Sequence, residues 1–150
     1  MQPGRYTELF FLDEATALSA GHRPCGQCRK PAYTLFKSHW LQSNSRPSDT
    51  TIADVDKALH AERTSRSDDG NWLRPLESLP SGVLVHWNMS VHLWNGAELR
   101  QWTPTGYGAG TDVAKPSMLV QLRTPPSVVN AIAAGYTVQM HPTAFAVHAA

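Results

Sequence analysis

Val83-Leu84-Val85-His86-Trp87-Asn88-Met89-Ser90-Val91-His92-Leu93-Trp94-Asn95-Gly96-Ala97-Glu98-Leu99-Arg100-Gln101-Trp102 is the stretch whose reading decides the architecture. Apolar and aromatic residues gather in three short runs, Val83 to Trp87, Val91 to Trp94 and Ala97 to Trp102, parted by turn-forming residues. Such runs read as strands, and strands in close succession read as an antiparallel meander. Asn95-Gly96 is a hairpin signal, because both residues tolerate the positive φ that a tight turn needs. Asn88-Met89-Ser90 reads as the loop of the hairpin before it. That register sets His86 opposite His92, with Cβ atoms about 5 Å apart, a spacing suited to a metal ion or a phosphate.

The second half reads as mostly β with one helix. Met118 to Leu122 is a further strand. Pro125 to Ala134 reads as a helix with proline in its first turn and Gly135 as its stop, and Tyr136 to Met140 as a closing strand. Gly106-Tyr107-Gly108-Ala109-Gly110 lacks the lysine of a phosphate loop and reads as a loop, a candidate lid. Trp87, Trp94, Trp102 and Tyr107 supply aromatic faces that stack on bases or fill a core.

Upstream, Tyr6 to Leu12 reads as a strand. Asp13 is an N-cap for a helix over Glu14 to Ala20, which Gly21 stops. A second helix runs from about Pro31 to Leu41, with Ala32, Leu35, Phe36 and Trp40 at helical spacing. After the polar loop Ser43 to Ser48, Thr51 and Asp54 resemble a capping box for a helix whose apolar stripe is Ile52, Val55 and Leu59. Ser65 to Asn71 reads as a loop. The echo between Leu18-Ser19-Ala20-Gly21-His22 and Ile132-Ala133-Ala134-Gly135-Tyr136 is read as shared helix-stop chemistry. The expected fold is one α+β domain over 1–150, with an N-terminal strand–helix–Cys-x-x-Cys–helix unit (6–42) packed on an antiparallel sheet.

The chain has 150 residues, 41% hydrophobic and 17% charged, enough apolar content for a buried core. Its apolar runs are too short to span a membrane. Residues 1–5 lack the apolar core of a secretion signal, so a cytoplasmic location is expected by default. The net charge is +1, but its distribution is uneven. Ala15 to Ser48 holds no Asp or Glu, while it holds Arg23, Arg29, Lys30, Lys37 and Arg46. A local positive field of this kind suits a phosphate-bearing partner; the alternative is a solvated basic surface.

The chain has two cysteines, Cys25 and Cys28. That is too few for a disulfide scaffold, which leaves a metal site, a redox pair or two incidental thiols. An x-x spacing lets a turn aim two thiolates at one zinc ion. A helix starting just after Cys28, with Arg23, Arg29 and Lys30 nearby, favours the thiolate form. His22 and His60 are candidates to complete a metal shell. His39 sits near the far end of the second helix, about 15 Å from the pair.

Leu18-Ser19-Ala20-Gly21-His22-Arg23-Pro24-Cys25-Gly26-Gln27-Cys28-Arg29 resembles the second half of the Ada-type metal-binding domain. The resemblance extends over roughly residues 6–37. It implies a zinc ion with Cys25 and Cys28 as two of four ligands, and a basic helix that contacts DNA phosphates through Arg23, Arg29, Lys30 and Lys37. The family's upstream cysteine pair, which includes its methyl acceptor, has no counterpart here. The remaining ligands would then come from histidines, from a second subunit in a homo-oligomer, or from a longer form of the protein.

The leading expectation is a zinc-binding, nucleic-acid-associated protein with a structural metal. The alternatives are a metal-dependent nuclease or related phosphodiester hydrolase, and a protein-interaction module that keeps an Ada-like shape. In the nuclease reading His60, Glu62 and His141 act as acid–base groups, joined by His86 and His92, with a second divalent metal allowed.

Overall fold

The computed structural model describes residues 11–65, 72–113 and 115–146. Asp13 begins the order by capping α1 (Glu14–Ser19), its carboxylate accepting from the Thr16 amide at 2.9 Å. A turn over residues 26–28 leads into α2 (Lys30–Ser43), which has Pro31 in its first turn. Thr51 caps α3 (Ile52–Thr64) through the Asp54 amide, as the capping-box spacing predicts.

Then come β1 (Leu73–Pro75), a 3-10 turn, and β2 (Val83–Trp87), β3 (Ser90–Trp94), β4 (Leu99–Thr103), β5 (Gly106–Thr111) and β6 (Leu119–Leu122). The helix α4 (Pro126–Ala133) and a 3-10 turn over Pro142–Ala144 complete the described chain. The six strands form one sheet in the order β1-β6-β2-β3-β4-β5, with every pairing antiparallel. The class is therefore α+β, and β2-β3-β4 is the expected meander.

One core joins the layers. Phe36 and Trp40 of α2, Val55 and Leu59 of α3, Val128 and Ile132 of α4, and Val83, Val85, Leu93 and Leu122 of the sheet are all buried within it. The α2 face follows the predicted spacing except at Leu35, which is exposed. Trp94 and Tyr107 are buried and Trp87 and Trp102 half-buried, so these aromatics line the core rather than a stacking platform.

Both predicted helix stops share one motif. The Gly21 amide donates to Leu18 O and the His22 amide to Ala17 O. Likewise Gly135 donates to Ile132 O and Tyr136 to Ala131 O. This is the paired 6→1 and 5→2 pattern, and its left-handed residue is Gly21 (φ 85°) in one helix and Gly135 (φ 128°) in the other.

Three expectations are corrected. The β2–β3 turn has two residues, Asn88 and Met89, both at positive φ, as a type I′ turn requires. His86 therefore pairs with Val91 and His92 with Val85, which puts the two histidines on opposite faces. His86 is exposed, and buried His92 packs edge-on against Trp87 at 5.1 Å.

The glycine run 106–110 is strand β5, not a lid. A side chain at Gly110 would collide with the Glu98 carboxylate, which lies there while pairing with buried Arg100.

Residues 136–140 are not a strand. Their donors go to carboxylates at the start of α1: the Gln139 amide to Glu14 Oε1 (3.0 Å), the Tyr136 hydroxyl to Glu14 Oε2 (2.7 Å) and the His141 amide to Asp13 Oδ2 (2.9 Å). The strand expected over 6–12 lies mostly outside the described residues, and its Phe11 and Leu12 are not in strand. The loop expected over 65–71 lies outside them beyond Ser65.

Candidate functional site: the Cys25–Cys28 knuckle and the faces beside it

Pro24 is buried where the chain leaves the α1 stop, and the segment after it turns at once. The Gln27 and Cys28 amides both point at Cys25 Sγ, at 3.4 and 3.3 Å. The Arg29 amide closes the turn on Cys25 O at 3.0 Å. Gly26 lies against the Tyr33 ring; a side chain there would meet that ring at 3.5 Å.

The two thiols are not bonded to each other as a disulfide. Cys25 is half-buried and Cys28 exposed. The Cys25 thiol is held below its ordinary range. The Cys28 amide contributes most, followed by the Gln27 amide, the Cys28 side chain and, more weakly, the Arg23 charge; burial opposes them. Amide donors and a nearby cation stabilise a thiolate, which is both the nucleophilic and the metal-binding form.

A depressed thiol pKa predicts reactivity at neutral pH. In a Cys28→Ser variant, the rate of iodoacetamide alkylation should rise with pH through a midpoint below about 8.5, the ordinary cysteine value. A midpoint at or above that value would contradict the amide cradle.

A structural zinc takes four N or S donors in a tetrahedron. Among the described residues, no three His, Cys, Asp or Glu side chains come together to hold an ion, so the knuckle supplies a half-site. Glu8, Asp68, Asp69 and His148 lie outside the described residues.

His22 and His60 share a pocket instead. It has a volume of about 320 Å³ and is lined by Gly21, His22, Arg23, Asp56, His60 and Arg63. The His22 ring rests on Phe11 at 5.2 Å, and burial, helped by the Arg63 charge, pushes its pKa down. His39 packs at Gly135 with its Nδ1 buried and unpartnered.

The three proposed acid–base groups engage separate partners. His60 Nδ1 faces Arg63 Nη2 at 2.8 Å. The Glu62 carboxylate takes the Ser127 amide (2.9 Å) and hydroxyl (2.5 Å), tying α3 to the start of α4. His141 Nδ1 meets the Thr143 hydroxyl at 2.8 Å, beside Asp13.

The four expected phosphate contacts also divide. Arg23 makes a two-pronged pair with Asp56 (3.0 and 3.1 Å), and Arg29 pairs with Glu14 at 2.6 Å. Lys30 and Lys37 make no ion pair among the described residues. Lys37 lines a groove of about 530 Å³ along α2 with Tyr33, Thr34, Ser38 and Arg46. The Arg46 guanidinium lies 5.7 Å above the Trp40 ring.

Sequence reasoning missed the Arg23–Asp56 pair and the shared face of α3. Its signal was present in the spacing of Asp56, His60 and Arg63 at i, i+4 and i+7. No helix among the described residues is long and apolar enough to cross a membrane. No family model matches the chain, and neither a curated protein nor a solved structure matches it.

Proposed function

We propose that this chain is a nucleic-acid-associated protein that holds a structural zinc ion at its cysteine knuckle and contacts phosphates along α2. The observation that carries the reading is the knuckle itself. Two amides and the neighbouring thiol converge on Cys25 Sγ immediately before a helix that bears Lys30 and Lys37 in an acid-free stretch. The α2 groove adds cations for phosphates and hydroxyls for polar contacts.

The knuckle contributes two donors, so the other two come from a second copy of the chain or from outside the described residues. His22 and His60 are poor candidates, because the guanidinium groups of Arg23 and Arg63 beside them repel a dication. The nuclease reading has weaker support, since His60, Glu62 and His141 are each engaged elsewhere.

Elemental analysis of the purified protein tests the metal. Zinc at one per chain, or one per two chains in a dimer, is expected, and Cys25→Ser should remove it. Zinc-free protein that stays zinc-free after reconstitution would sink the metal assignment. A polarisation titration against a labelled duplex at low salt tests the partner. No binding there leaves the interaction-module reading in its place.

A further inference from the structure

The pocket between the α1 stop and α3 is built from a different set of groups and does not depend on zinc or on the α2 groove. We propose that it is a binding site for a single phosphate group, held by Arg63, His60 and the Arg23–Asp56 pair.

Its walls come from two elements. Gly21, His22 and Arg23 follow α1, while Asp56, His60 and Arg63 form one face of α3. Each cation is already fixed in place. Arg63 Nη1 donates to Ala20 O at 3.3 Å, its Nη2 reaches His60 Nδ1 at 2.8 Å, and its aliphatic stem crosses Gly21 at the one place without a side chain. Arg23 is locked by Asp56 and by Pro24 O at 3.0 Å.

Arginine carries five N–H donors, so both guanidiniums keep donors beyond these bonds. With Arg63 donating to Nδ1, the His60 ring carries its proton on Nε2, a further donor. The charge left in the pocket with neutral imidazoles is +1, from two arginines and one aspartate. The lining is glycine and polar or charged side chains. It therefore suits a charged head group rather than a carbon skeleton, and its cations on two walls suit a tetrahedral oxyanion better than a planar one. Fixed donors of this kind bind at a small entropic cost, because they are ordered before the ligand arrives.

The test follows the ring resonances of His22 and His60 by NMR in the full chain at fixed pH. One arm adds inorganic phosphate and the other a thymidine dinucleotide, whose only phosphate is a diester. Saturable shifts are expected. Arg63→Gln should weaken binding about ten- to a hundred-fold, as for loss of charge-assisted hydrogen bonds. Asp56→Asn removes the one negative charge and releases Arg23, so it should tighten binding several-fold, a gain that misfolding cannot mimic. A response to phosphate alone assigns the site to free phosphate or a monoester; a response to both assigns it to a backbone phosphate. Failure of both probes to shift either histidine overturns the proposal, and so does binding that Asp56→Asn leaves unchanged. Loss of duplex binding in α2 variants, with phosphate shifts intact, keeps this site separate from the nucleic-acid reading.

Discussion

Glu14→Ala should lose about 2–4 kcal/mol of folding stability, among the largest effects of any single exchange outside the apolar core. The Glu14 side chain is 4% exposed and accepts from the Arg29 guanidinium, the Tyr136 hydroxyl and the Gln139 amide. Arg29 is 42% exposed and recovers water when the carboxylate is gone. Buried Tyr136 does not recover it, and its hydroxyl is left without an acceptor. Tyr136 already titrates far above its ordinary range, through burial first and the Glu14 carboxylate second, so it stays a donor throughout. The measurement is a urea titration, read as a lower midpoint at an unchanged slope. Arg29→Gln should cost less than Glu14→Ala, because the buried carboxylate keeps the Tyr136 and Gln139 donors and only the 42% exposed guanidinium is lost. Equal losses for the two variants would contradict this division of roles.

The second large effect is expected in duplex binding. If Lys30, Lys37 and Arg46 each neutralise one phosphate, log affinity should fall against log salt with a slope of about −2.7. Between 50 and 200 mM salt that is roughly a fortyfold loss. Lys30→Gln with Lys37→Gln should flatten the slope by about 1.8. Arg29→Gln should leave it nearly unchanged, since Glu14 already pairs with that guanidinium. A slope that follows Arg29 and ignores the lysines would move the interface away from α2.

Where side chains and local turns decide the structure, the sequence was readable. The Asp13 and Thr51 caps, the two glycine stops, the Val55–Leu59 stripe and the β2-β3-β4 meander all follow from nearest-neighbour chemistry. The misreadings fall where a distant group intervenes. Glycines at 106–110 read as a loop until Glu98 is seen occupying the space over Gly110. Residues 136–140 read as a strand until their donors are found on Asp13 and Glu14. The β2–β3 turn slipped by one because Met89 is an unusual residue for a positive φ and carries no glycine signal. At the site, the cysteine turn was legible from its spacing. The α3 face was not, because the partner of Asp56 lies 33 residues earlier.

The two carboxylates at the head of α1 also govern timing. Three of their partners, Tyr136, Gln139 and His141, stand 122, 125 and 128 residues further along the chain. Closing loops that long is slow, and here it waits until residues 136–141 have left the ribosome. The β2-β3-β4 meander, whose paired strands are neighbours in sequence, forms earlier on the nascent chain. Helix α1 thus leaves the ribosome before the meander, yet its contacts with residues 136–141 close after it.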